Sequence, residues 1–212
     1  GDTVLEGQCV ALIRCNLVQL LKAERVALNF LGHLSGVATM TRLFVKACAN
    51  GKTKILDTRK TLPLFRKLEK QAVVHGGGEN HRMSLSDQAM LKENHLRMFG
   101  GDIIKAVKQV RSQAPMVKVV VETTSLDEVK QAIESQCDRV LLDNMPDEMM
   151  REALKLIPAS MESEASGNMS LERIPQVAKL GVSYISVGSI THSAPTADMS
   201  LLFDWETQDE SN

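Results

Sequence analysis

The chain has 212 residues, a formal net charge of −1 and 43% hydrophobic residues, enough to bury a full core in one domain. Near-neutral charge argues against a general nucleic-acid binder, which needs a basic face, and no apolar run approaches the ~20 residues of a membrane span. Cys9, Cys15, Cys48 and Cys137 make no CxxC pair and no zinc spacing, and the first residues lack a secretory signal pattern, so reduced thiols in a cytoplasmic protein are expected.

Residues 1–16 read as one or two short strands with a turn near Glu6-Gly7. From Leu17 the apolar period becomes helical, through Leu20, Leu21, Leu28 and Leu31. Ser35-Gly36 is expected to break that helix, and a second one to run to about Ala49 and stop at Asn50-Gly51. Lys54-Ile55-Leu56 is a short strand ending at Asp57. Pro63 to Val74 suits a helix with Pro63 near its first turn, and Gly76-Gly77-Gly78 is a loop. Ala89 to Leu91 is a strand ending at Lys92, and Asp102 to Gln113 is helical. Val117 to Val121 is almost purely β-branched, which suits a strand buried on both faces. Ser125 with Glu128 forms a capping-box pattern for a helix to about Ser135. Arg139 to Leu142 is a strand, Pro146 to Leu156 a helix and Ala159 to Glu164 a strand. A helix then runs from Ser170 or Arg173 to Leu180, followed by a strand from Val182 to Val187.

Strands alternating with helices of this length predict βαβ units and a parallel sheet. Glu122, Asp143, Glu164 and Gly188 follow at separations of 21, 21 and 24 residues, each expected at the C-terminal end of its strand. In a (β/α) barrel those ends converge on one mouth, where active sites sit. With six or seven strands, an incomplete α/β barrel is predicted. An open doubly wound sheet is the alternative, and no GxGxxG follows a strand to support it.

The barrel brings three groups to the mouth. Arg59, Lys60, His81, Arg82 and Lys92 are cationic and suit a small, multiply anionic ligand. Glu122 and Asp143 can contact Mg²⁺ that leans on substrate phosphates, or can serve as general acid and base. Ser166-Gly167 and Gly188-Ser189 suit a phosphate held by backbone N–H groups beside the last strands.

In addition, the chain resembles the quinolinate phosphoribosyltransferases, type II phosphoribosyltransferases that are also called carboxylating nicotinate-nucleotide pyrophosphorylases. The resemblance rests on Glu24-Arg25, Leu34 to Thr39, Ile55-Leu56-Asp57-Thr58-Arg59-Lys60-Thr61, Gly76-Gly77-Gly78 with Asn80-His81-Arg82, Lys92 with Asn94-His95, Leu142 to Met145, Glu164 to Gly167 and Ile185 to Gly188, in order along nearly the whole chain. It implies that quinolinate and phosphoribosyl pyrophosphate react to nicotinate mononucleotide, pyrophosphate and CO₂, in NAD biosynthesis. It implies a quinolinate clamp of Arg59, Lys60, His81, Arg82 and Lys92, with Arg25 lent to the site of a neighbouring subunit in a homodimer or higher homo-oligomer. It further implies that Glu122 and Asp143 approach the ribose and the Mg²⁺–pyrophosphate. Lys92, Glu122 and Asp143 are the catalytic candidates. Ser166, Gly167, Gly188 and His192 would cradle the 5′-phosphate.

The family pattern departs at Leu64 and Asn168, where members often have Gly, and at Gln71, where they often have Tyr. By the same resemblance residues 1–24 correspond to a remnant of an N-terminal sandwich domain and the start of a linking helix. Residues 25–190 form the barrel and 191–212 a tail. A relative acting on another aromatic acid, or a truncated barrel that only binds ligand, are the alternative readings.

Overall fold

The computed structural model describes residues 1–48 and 52–203. Helix α1 (Leu17–Cys48) leads into β1 (Lys54–Leu56), α2 (Arg66–His75), β2 (Gln88–Leu91), α3 (Glu93–Arg97) and α4 (Ile103–Gln113). Strand β3 (Lys118–Thr123), α5 (Leu126–Glu134), β4 (Arg139–Asp143) and α6 (Asp147–Leu156) follow. The chain closes with β5 (Glu162–Ser166), α7 (Ile174–Lys179), β6 (Tyr184–Ser186) and α8 (Ser189–His192).

All strand pairs are parallel and the order is β1-β6-β5-β4-β3-β2. Consecutive strands are therefore neighbours from β2 to β6, and the first strand returns beside the last. That order is a barrel with one seam, between β1 and β2, rather than a doubly wound sheet with a crossover reversal. The seam is partly filled. Glu79 makes a single parallel bridge to Leu56, through Glu79 N donating to Ile55 O (2.8 Å) and Asp57 N donating to Glu79 O (3.2 Å). The fold is an incomplete α/β barrel, as the strand and helix alternation implied.

Alternate residues of each strand explain the two layers. Ile55, Val119, Val121, Val140, Leu142, Ala165 and Ile185 face the helices and join one continuous apolar cluster. The other side of the same strands carries Lys118, Arg139, Glu162, Glu164 and Tyr184; Arg139 donates to Glu162 and Glu164, and Tyr184 donates to Glu162. Buried Leu56, Val120 and Leu141 lie among them, so the helix-facing side is the main core and the inner side is mixed.

The structure corrects three expectations. Residues 1–16 contain no strand; only the turn at Glu6-Gly7 is present. Ser35-Gly36 does not break the first helix, and α1 continues across it and across the 24/25 boundary. The reason is tertiary. The Pro195 carbonyl sits where a side chain at position 36 would begin, so glycine here provides close approach rather than a helix end. Strand β5 also ends two residues later than expected, which moves Glu164 from its end to its middle. The predicted stop at Asn50-Gly51 lies outside the described residues.

Local rules hold elsewhere. Asp102 caps α4, its side chain accepting from Lys105 N (2.8 Å). Ser125 accepts from Glu128 N (3.3 Å), while the Glu128 carboxylate turns back to Thr124 N (2.6 Å), one residue earlier than a strict capping box. The triple glycine lets α2 end against α1. A side chain at Gly78 would meet Thr41 Cγ2 at 2.8 Å and Val73 Cγ1 at 2.9 Å, so these glycines serve helix packing and not an anion loop. No helix among the described residues is long and apolar enough to cross a membrane.

Candidate active site

The C-terminal ends of the strands carry most of the predicted site. Arg59 and Lys60 follow β1, and both are exposed. The guanidinium of Arg66 on α2 holds their loop from below, donating to Thr61 Oγ1 (3.1 Å) and Arg59 O (3.3 Å). His81 and Arg82 come from the segment that fills the seam. Burial, and then the nearby Arg59 guanidinium, hold Arg82 below its ordinary value. Asp87 and Glu164 offset part of this, and neither forms an ion pair with Arg82, which leaves its guanidinium suited to an anionic ligand. Among the described residues Arg82 has no ion pair; its NH1 donates to Gln88 O (2.9 Å).

Lys92 heads α3 at the end of β2, its backbone N–H donating to His95 Nδ1 (3.0 Å). Its ammonium pairs with Glu122 on β3. Asp143 closes β4 and lies in register with Ser166 at the end of β5. Asn144, which was not among the predicted site residues, links these groups. Its Nδ2 donates to Asp143 Oδ2 (2.8 Å), its N–H donates to Ser166 O (2.9 Å), and its Oδ1 accepts from Asn168 Nδ2 (3.3 Å). Gly188 stands against both Lys60 and His192: a side chain there would meet Lys60 Cδ and His192 Nε2 at 3.2 Å each. Thr191 Oγ1 donates to Lys60 O (2.8 Å). Lys60 therefore lies on the Gly188 and His192 side of the mouth, between the two predicted ligand regions.

Two predicted residues are placed differently from the rest. Arg25 is exposed on the N-terminal half of α1, and among the described residues no hydrogen bond or ion pair joins it to the mouth. The His81 side chain is only 6% exposed, with both ring nitrogens turned to protein. Nδ1 accepts from Arg82 N (2.7 Å), which places the ring proton on Nε2, 3.3 Å from Glu164 Oε1. That approach is off the line of a hydrogen bond, so both atoms are buried without a hydrogen-bond partner.

Glu164 is the interior anchor that sequence spacing misplaced. It shares the 21-residue interval of Glu122 and Asp143, and in register it lies level with Leu141 and Glu122, two residues below Asp143; unlike Glu122 it is fully buried. Its Oε2 accepts from Arg139 NH1 (2.9 Å), and the Arg139 guanidinium lies 4.0 Å over the Tyr184 ring. Burial works to raise the Glu164 carboxyl, but His81 and Arg139 outweigh it and hold it below its ordinary 4.5. A depressed carboxyl stabilises the fold fully above its unfolded value and loses that contribution as pH falls through the folded value. Glu164→Gln is therefore expected to cost about 1–3 kcal/mol at pH 7 and to lose less stability than the wild type below pH 4.5. Denaturant unfolding across that range measures both.

Two departures from the family pattern gain a physical reading. Leu64 and Asn168 both have positive φ, 67° and 48°. Glycine takes that backbone without strain, asparagine tolerates it, and a fully exposed leucine gains no packing to offset it.

Among the described residues no cluster of three or more His, Cys, Asp or Glu is poised to hold a metal. Glu122 is engaged by Lys92, and Asp143 by Asn144. This donor set fits a Mg²⁺ ion that arrives on a substrate phosphate and keeps several waters, not one caged by protein.

The profile described as quinolinate phosphoribosyl transferase, C-terminal domain, matches residues 37–202. The chain belongs to the quinolinate phosphoribosyltransferase family. It is 42% identical over 202 residues to a probable carboxylating nicotinate-nucleotide pyrophosphorylase of Bacillus subtilis, covering 95% of this chain and 70% of the relative. It is 40% identical over 225 residues to the chloroplastic carboxylating enzyme of Arabidopsis thaliana, covering 97% and 64%. The solved nicotinate-nucleotide pyrophosphorylase from Francisella tularensis superposes with a TM-score of 0.84 at 45% identity, over 87% of this chain and 66% of that one. The chain thus spans about two thirds of the length of these family members.

Proposed function

We propose that this chain transfers the phosphoribosyl group of phosphoribosyl pyrophosphate to quinolinate with decarboxylation, giving nicotinate mononucleotide, pyrophosphate and CO₂. The observation that carries this reading is the layout of the mouth. Arg59 follows β1 and Arg82 follows the seam segment, Glu122 and Asp143 stand near the ends of β3 and β4, and the small residues Ser166, Gly167 and Gly188 stand at the ends of β5 and β6. The names of the relatives point to the same reaction.

A pyridine diacid needs a cationic clamp that fixes its ring nitrogen toward the anomeric carbon, and Arg59, Arg82 and Lys92 supply charge from three different loops. Lys60 is placed to serve the diacid or the 5′-phosphate that Ser166, Gly167, Gly188 and His192 would receive. Glu122 and Asp143 face the ribose, where negative charge favours an oxocarbenium-like state. When bound with phosphoribosyl pyrophosphate, Mg²⁺ would neutralise charge on the departing pyrophosphate. The new N–C bond makes the ring nitrogen cationic. The bond to the 2-carboxylate then breaks, CO₂ leaves, and the electron pair stays on the ring carbon, stabilised by the adjacent cationic nitrogen, until that carbon takes up a proton.

A homodimer or higher assembly is part of the proposal. Residues 1–16 and the N-terminal half of α1 expose Leu5, Leu12, Ile13, Val18, Leu21 and Val26, an apolar surface that a second subunit would cover. Arg25 lies on that same stretch, which suits a role in a neighbouring subunit's site. Four free thiols suit a reducing compartment such as the cytoplasm. The test is release of labelled CO₂ from carboxyl-labelled quinolinate with phosphoribosyl pyrophosphate and Mg²⁺, beside calorimetric titration of quinolinate. CO₂ release is expected. Binding without release would leave a binding protein, and neither would overturn the proposal.

A further inference from the structure

Two consecutive charged side chains of α2, Glu69 and Lys70, are buried beneath the mouth, and the reaction above uses neither. Removing an ammonium from water is costly, and an ion pair alone is a poor reason to keep one. Lys70 pairs with Asp57, the residue just after β1, and its Nζ also donates to His81 O (2.9 Å). Asp57 Oδ1 accepts from His81 N (2.8 Å). The Asn80 side-chain amide is oriented to donate to Asp57 Oδ2 (2.6 Å) and Lys70 O (2.9 Å). The pair thus holds both backbone polar groups of His81, the residue next to Arg82.

Glu69 acts the same way on the other cationic loop. Its Oε2 accepts from Leu62 N (3.2 Å), two residues past Lys60, while Oε1 contacts His33 Nε2 of α1 (2.8 Å). One turn of α2 therefore fixes both segments that carry the arginines of the mouth. A purely structural ion pair would need only its partner. Here each member spends further bonds on the backbone of a single residue beside the clamp.

We infer that Lys70, acting with Asp57, is a positioning residue for the diacid clamp. It sets where Arg82 leaves the barrel wall and never touches the ligand. This rests on the reading of Arg82 as a quinolinate contact. Positioning errors near 1 Å can cost about a hundredfold, so the effect is measurable in binding.

The experiment compares the full chain with Lys70→Met and Asp57→Asn. Affinities for quinolinate and for phosphoribosyl pyrophosphate are measured by calorimetry, and backbone exchange by mass spectrometry. Lys70→Met is expected to weaken quinolinate binding roughly tenfold or more, with phosphoribosyl pyrophosphate affinity within about twofold. The peptide covering residues 79–83 should exchange faster while β3 and β4 peptides do not. Asp57→Asn should give the same pattern with a smaller loss, and it decides the matter if Lys70→Met does not fold. Unchanged quinolinate affinity in both variants would overturn the inference. So would equal loss of both ligands with faster exchange throughout. If the wild type binds no quinolinate, the proposed reaction fails, and local against uniform exchange at 79–83 still decides the role of Lys70.

Discussion

Replacing Arg82 by alanine is expected to weaken quinolinate binding by at least about a hundredfold, roughly 3 kcal/mol, and to abolish turnover. The guanidinium is held in a partly buried position beside Arg59, which opposes its charge. A diacid resolves that repulsion with charge-assisted bonds, which are stronger than neutral ones and geometrically exacting for arginine. The same arrangement predicts an opposite effect on the empty protein. Removing Arg82 relieves the burial of a charge and the repulsion from Arg59, against the loss of the bond to Gln88 O and of attraction to Asp87 and Glu164. The thermal midpoint of the variant should stay within a few degrees of the wild type or rise, as expected where a charge is kept for ligand and not for stability. Calorimetric titration and a melting curve on one sample measure both. Normal quinolinate affinity in Arg82→Ala would sink the clamp assignment.

The second large effect is expected at Gly167. It follows β5 with φ +93°, and a β-carbon there would overlap the Asn144 amide. Gly167→Ala must therefore strain a left-handed backbone, at about 1–2 kcal/mol, and displace a side chain that braces Asp143 and Asn168. Phosphoribosyl pyrophosphate affinity should fall about tenfold or more while quinolinate affinity changes little, because Arg59 and Arg82 stand on other loops that Asn144 does not bond. Adding Asn144→Ala removes the overlap but not the backbone strain or the lost brace, so recovery should be partial. Equal loss of both ligands would show that the loop supports the whole mouth and not the phosphate side.

These two effects separate the halves of the site, and the same separation divides what could be read from sequence. Candidate residues at the ends of β1, β2, β3, β4 and β6 were legible because strand ends converge in a parallel barrel, and Arg59, Lys92, Glu122, Asp143 and Gly188 fall there. Glu164 was misplaced because β5 runs on to Ser166; Glu122 is level with it in register, so burial against Arg139 and His81, not height, sets Glu164 apart. The Asp57 and Lys70 pair was not singled out. A lysine in an amphipathic helix reads as solvated, and nothing local announces that it points inward.

Helix α1 teaches the same distinction. Ser35-Gly36 is a plausible helix end by local chemistry, and the helix ignores it, because Gly36 is needed where Pro195 crosses. The triple glycine, read only as a loop, lets α2 approach α1.

By itself the sequence determined the alternation of strands and helices, the parallel sheet, and the cation-rich stretch from Arg59 to Lys92, since these follow from periodicity, β-branching and charge along the chain. Only the tertiary structure decided that the barrel has its seam between β1 and β2, that His81 is buried with both nitrogens turned to protein, and that Lys70 lies under the clamp. Those depend on register and on burial, which turn a residue's distant neighbours, not its adjacent ones, into its chemical environment.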